Sequence, residues 1–141
     1  MNTSKFFFPF CEIDSDRSLS FLAHCLGTAF SNGIIQIPPQ SGNGSIRKIE
    51  LENGLHIRVW DFQLNKPFVF NKEPDTESPD RVFHIAYILN PEALQIKTAG
   101  MEKAFRVQAG MNILFVSNDI SIEVEIETDR GLHAIDISFT A

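Results

Sequence analysis

Ser45-Ile46-Arg47-Lys48-Ile49-Glu50-Leu51-Glu52-Asn53-Gly54-Leu55-His56-Ile57-Arg58-Val59-Trp60-Asp61-Phe62-Gln63-Leu64 holds two β-type runs joined by a tight turn. Asn-Gly accepts positive φ at little cost, so Glu52-Asn53-Gly54 reads as a hairpin turn between strands at 45–51 and 55–64. Successive side chains of a strand point to opposite faces. Arg58, Trp60 and Phe62 therefore share one face of the second strand, opposite Leu55, Ile57, Val59 and Asp61. Both faces are bulky, so one of them must meet something other than water: a barrel interior with a ligand, a packed helix or a dimer partner.

Outward from this hairpin the same grammar of short runs and turn signals continues to the end of the chain. Residues 34–37 form a short strand stopped by Pro38-Pro39, and 40–44, Gln-Ser-Gly-Asn-Gly, read as a loop. After a short run at 68–71 comes a polar loop at 72–81. A nearly continuous apolar run at 82–89 follows, as expected of a buried strand. Further strands are expected at 93–98, 105–107, 112–116 and 132–139. Ile120, Ile122, Val124 and Ile126 alternate with Ser121, Glu123, Glu125 and Glu127, which predicts a half-exposed strand whose charged face suits a sheet edge. The one helical pattern lies in front. Leu19, Leu22, Ala23, Leu26, Ala29 and Phe30 recur at helical spacing over 15–32, with Asn32-Gly33 as the stop and Gly27 as a costly interior residue. Short strands with no helices between them point to a barrel or sandwich rather than a parallel α/β sheet.

The 141 residues suffice for one domain, an N-terminal segment at 1–33 with its helix packing on a barrel at 34–141. A hydrophobic fraction of 43% with 21% charged residues is that of a globular protein. No apolar run reaches the ~18 residues of a spanning helix. The patch at 6–11 is broken by Pro9 and followed by Glu12, Asp14 and Asp16, unlike a signal peptide, so a cytoplasmic location is expected and Cys11 and Cys25 read as free thiols. With a net charge of −6 and no Lys/Arg cluster, the chain should bind nucleic acid poorly by itself.

Gly27-Thr28, Ile37-Pro38, Gly42-Asn43-Gly44-Ser45-Ile46 and Ile49-Glu50-Leu51-Glu52-Asn53-Gly54-Leu55, in that order, resemble the opening of bacterial AraC-type transcription regulators with a cupin-like sensor. Gln108-Ala109-Gly110-Met111-Asn112-Ile113-Leu114-Phe115 is similar to the glycine-then-apolar-strand element such barrels repeat. The resemblance implies a mainly β, cupin-like (jelly-roll) β-barrel with an N-terminal helix. It also implies a homodimer, a small-molecule effector, and DNA contact only through a helix-turn-helix half expected beyond residue 141. No cofactor, no membrane association and no catalysis belong to that picture. The dimer interface is expected at the helix over 15–32 or at an exposed strand edge. A barrel filled by its own side chains would instead be a dimerisation domain alone.

A stand-alone cupin enzyme acting on a sugar or small acid is the alternative, and it needs a metal or a placed acid/base pair. Metal-dependent cupin enzymes resemble one another in a His-x-His pair on one strand, where positions i and i+2 reach the same ion. His24, His56, His84 and His133 contain no such pair, and a site of His56, His84 and His133 would need three strands to converge. No Gly-x-Ser-x-Gly elbow is present, His24 and Cys25 point in different directions on a helix, and the glycines at 42–44 precede a strand without a following Gly-Lys-Ser/Thr. His84 and Tyr87 fall on opposite faces of their strand, so at most one looks inward. The candidate ligand contacts are Arg58, Trp60, His84 and His133.

Overall fold

In the computed structural model of the chain, residues 6–10, 15–52, 54–72, 81–98, 103, 105–108, 110–117, 121–127 and 130–140 are described. The elements in order are β1 (Phe6–Phe10), α1 (Ser15–Cys25), β2 (Phe30–Ser31), β3 (Ile34–Gln36), β4 (Gly42–Glu52), β5 (Leu55–Leu64), β6 (Phe68–Lys72) and β7 (Val82–Ile88). A 3-10 turn at Pro91–Ala93 leads into β8 (Leu94–Thr98), followed by β9 (Phe105–Arg106), β10 (Ile113–Ser117), β11 (Ile122–Ile126) and β12 (Leu132–Thr140). Cys11, Asn53, the 73–80 stretch and the expected turn residues Ala99, Gly100, Asn118, Asp119 and Asp129 lie outside the described residues.

Two sheets face each other, one in the order β10-β7-β12-β5-β4-β3-β2 and the other β1-β6-β11-β8-β9. Their antiparallel pairs are nested: β5 with β12, β6 with β11, β7 with β10 and β8 with β9, alternating between the larger and the smaller sheet. That nesting is a long antiparallel ribbon wrapped over on itself, the topology of a jelly roll. The fold is thus mainly β and cupin-like, with its helix near the N-terminus.

Alternation decides which side chains fill the space between the sheets. Trp60, Phe62 and Leu64 of β5, Ala86 and Ile88 of β7, and Leu132 and Ala134 of β12 are buried. Phe68, Leu94, Ile96, Ile122 and Ile126 are buried on the smaller sheet. Trp60, Phe62, Phe68 and Phe70 form a continuous aromatic chain with centroid separations of 5.1 to 6.4 Å. Each such side chain contributes roughly 1.5–3 kcal/mol on burial, and so the core is the main source of stability.

The helix is shorter than its apolar spacing predicts. Gly27 has φ +79°. The Thr28 amide donates to the Ala23 carbonyl at 2.9 Å and the Gly27 amide to the His24 carbonyl at 3.0 Å, the paired bonds of a Schellman cap. A glycine that looks like an internal cost is therefore the helix terminator. Asn32 and Gly33, expected as the stop, have φ of 54° and 76° and turn the β2–β3 hairpin instead. Leu19, Leu22, Ala23 and Leu26 join Ile35, Ile37 and Ile46 in the core, so the helix caps the sheet beside β4. Lys48 Nζ holds Asp16 Oδ1 at 2.5 Å across that contact.

The 1–33 segment also supplies strands, and β1 pairs in parallel with β6 at the edge of the smaller sheet. Two other expectations change. Gly42 and Gly44 are not loop residues but part of β4, packed so closely on β5 that a Cβ would lie 2.0 Å from the Gln63 carbonyl oxygen and 2.3 Å from that of Asp61. β11 is no edge strand, since it pairs with β6 on one side and β8 on the other. Its outward glutamates are half-buried, and Glu127 just beyond it meets Arg106 at 2.7 Å. That pairing holds the Glu127 carboxyl below its ordinary range, through the Arg106 hydrogen bond first and its charge second.

Candidate ligand cavity between the sheets

β5, β12 and β7 lie side by side, and their registers align inward-facing residues in straight rows. Arg58, Asp136 and Ala86 form one row; His56, Ser138 and His84 form the next; Trp60, Ala134 and Ile88 flank on the other side. The polar residues in these rows are buried because alternation leaves them nowhere else to point. Arg58 is 1% exposed.

A burial this deep requires a counter-charge, and the neighbouring strand provides it. Arg58 Nε donates to Asp136 Oδ1 at 2.9 Å and Arg58 Nη2 to Asp136 Oδ2 at 3.0 Å, a two-point fork. Trp60 Nε1 donates to the same Oδ2 at 3.2 Å, while the guanidinium carbon lies 5.6 Å from the Trp60 ring centroid. From the opposite sheet, Lys72 reaches across to donate from Nζ to the Ser117 carbonyl at 2.7 Å and is itself 4% exposed.

Between these groups and an apolar wall lies a partly open cavity of about 110 Å³. Arg58, Trp60, Lys72, His84 and Asp136 form its polar side; Phe70, Leu94, Leu114, Ile122 and Val124 are among its apolar lining. The volume is far above the roughly 10–15 Å³ that admits one water and approaches the ~150 Å³ of cavities that take up benzene. Behind Arg58, the imidazole of His56 has its pKa lowered from 6.5, by burial first and then by the charges of Arg58 and Lys48. His56 Nε2 and Ser138 Oγ are buried with no hydrogen-bond partner among the described residues.

Three of the four sequence candidates, Arg58, Trp60 and His84, meet in this one cavity. His133 does not. It occupies an outward position of β12, where its Nδ1 lies 2.8 Å from Asp61 Oδ1 on β5. The parity of β12 explains this: Ala134, Asp136 and Ser138 face in, so His133, Ile135 and Ile137 face out. The same parity puts His133 on the far side of the sheet from His56 and His84. Among the described residues no three of His, Cys, Asp and Glu come together as metal ligands. Cys25 is a free, exposed thiol. Sequence reading overlooked Lys72 and Asp136. Lys72 stands at the start of a polar stretch, although it continues the inward parity of Phe68 and Phe70; Asp136 has no signal beyond an acidic residue inside an apolar alternation. Tyr87 faces outward and His84 inward.

No protein-family model and no curated protein sequence matches the chain. Among solved structures it is similar to a protein provisionally named a mannose-6-phosphate isomerase, from Ralstonia eutropha JMP134, with a TM-score of 0.42 and 13% identity over 67% of this chain and 81% of that one. It is also similar to the hydroxypropylphosphonic acid epoxidase from S. wedmorenis, with a TM-score of 0.30 and 12% identity over 87% of this chain and 73% of that one. Among the described residues no helix is long and apolar enough to cross a membrane.

Proposed function

We propose that this jelly roll is a binding module for a small molecule with an apolar body and an acidic head, seated in the cavity between the sheets. The observation that carries this reading is the cavity itself: a barrel serving only as a scaffold gains by filling its interior, whereas here about 110 Å³ remains beside Arg58, Lys72 and His84. Arg58 and Lys72 bring N–H donors to the polar side, the kind of group from which a carboxylate or similar anion accepts. The role is binding rather than catalysis. Asp136 gives its oxygens to Arg58 and Trp60, an arrangement suited to holding shape and charge and poorly suited to shuttling a proton.

The resemblance to AraC-type regulators gives this binding a purpose. Effector occupancy would bias the position or pairing of an attached DNA-binding half, a shift between two populations. Continuation of the reading frame past Ala141 into two basic helix-turn-helix patterns is the expected context. The cavity reading is tested by thermal unfolding of the chain against a panel of small aromatic and aliphatic carboxylic acids. Wild-type protein should be stabilised by at least one acid and not by its uncharged amide. Ala86→Leu, which projects into the cavity, should retain or raise the melting temperature and lose that response. A response unchanged in Ala86→Leu would place the ligand elsewhere.

A further inference from the structure

The outward face of the larger sheet is as apolar as a core. In register across five strands run Ile49, Ile57, Ile137, Ile85 and Phe115, one unbroken apolar row. The adjacent row places Val59, Ile135, Tyr87 and Ile113 side by side. On the other flank Phe83 stacks between Phe115 and Phe139, with centroids 5.7 Å from each. Among the described residues nothing covers these side chains: Ile113 is 70% exposed, Phe115 57% and Tyr87 50%. The helix packs at the β2–β4 end on the inward side and leaves this face open.

We propose that this face is the contact surface for a second copy of the chain, two larger sheets packing face to face. Area is the first argument. Side chains of roughly 200 Å² that each leave about half their surface in water put on the order of 1,000 Å² of apolar surface on one face, against about 800 Å² per partner in a stable interface and a few hundred on a typical monomer. Charge is the second. Ile135 and Ile137 on β12, Ile85 and Tyr87 on β7, and Ile113 and Phe115 on the edge strand β10 present no charge outward. Charged groups stand at the margin, with Arg47 at one corner and the His133–Asp61 pair at another. A surface with neither excess charge nor a charged centre suits its own copy, and the flat rows of isoleucine can interdigitate as the sheets of a β-sandwich do, about 10 Å apart. This surface is neither the helix nor a strand edge, and the inference does not depend on the cavity binding a ligand.

Sedimentation velocity of the full chain over a range of concentrations tests it. Wild-type protein should be a monomer–dimer system with association strengthened by added salt, because each copy carries a net charge of −6. Ile137→Lys and Ile85→Thr, in the middle of the five-strand row, should each raise the dissociation constant roughly thirtyfold or more, as expected for central interface residues, with the circular-dichroism spectrum unchanged. Tyr87 is the single tyrosine, so its nitration by tetranitromethane gives a second readout on unmodified protein. Its rate should fall as concentration rises. A monomer at all concentrations, higher assemblies in place of a dimer, or a dimer in which Tyr87 reacts at a constant rate would overturn the proposal. A variant that misfolds leaves the Tyr87 measurement to decide.

Discussion

Arg58 and Asp136 sit directly opposite one another on β5 and β12 and join through two hydrogen bonds of 2.9 and 3.0 Å in the interior of the barrel. The pair is positioned by strand register, so its strength depends on the hairpin at Gly54 and the last strand being in place together.

The pair makes an asymmetric thermodynamic prediction. Asp136→Ala leaves the Arg58 guanidinium buried without its counter-charge and should cost about 3–5 kcal/mol, enough to unfold much of the population. The double variant Arg58→Met with Asp136→Leu removes both charges and should recover most of that loss. Urea unfolding of both variants checks the difference; equal destabilisation in the two would mean that the pair matters through shape alone.

His56 predicts a pH slope. Its folded pKa lies below the 6.5 of the unfolded chain, because burial and the charges of Arg58 and Lys48 disfavour the imidazolium. Between the two values the unfolded state binds more protons, so stability is fully present above pH 6.5 and falls as the pH drops toward the folded value. Replacing His56 with Gln should flatten the pH dependence of urea midpoints in this window. An identical slope in the variant would remove His56 as its source.

Gly44 predicts a steric penalty. It has φ +100°, and a Cβ there would come 2.3 Å from the Asp61 carbonyl oxygen and 2.6 Å from the Phe62 Cα, both backbone atoms of β5. Gly44→Ala should therefore destabilise by more than the roughly 1–3 kcal/mol typical of strained backbone alone. Gly110→Ala, at φ +95° with open space around it, should show only the conformational part. Thermal unfolding of the two variants separates the terms.

Much of the architecture is legible in the chain because it rests on local chemistry. The prolines at 38 and 39 end β3, and the parity of the β5, β7 and β12 runs reappears in adjacent strands of the larger sheet. The helix end is not legible in the chain, because Gly27 and Gly33 look alike in sequence and only the carbonyls reached by the following amides tell a helix cap from a hairpin turn. Gly42 and Gly44 read as loop residues for a related reason: they let β5 approach closely, and the contacting residues 61–64 lie some twenty positions along the chain, beyond the reach of a local pattern. Alternation shows β11 as a half-exposed strand but not its two partners, since it records which face is wet and not how many neighbours pair.

The sequence by itself determined that the chain is a one-helix, mainly β protein whose strand from Leu55 has two bulky faces. It also determined that His84 and Tyr87 point apart. Those properties follow from period-two alternation and turn residues, which act within a few positions of one another. Tertiary structure alone decided which face looks inward. It brought Arg58, Lys72, His84 and Asp136 from four strands to one cavity, sent His133 outside, and left Ile137, Ile85 and Phe115 in an uncovered row. The reason is that register between strands distant in sequence, set by the nested pairing of the whole jelly roll, fixes which side chains become neighbours.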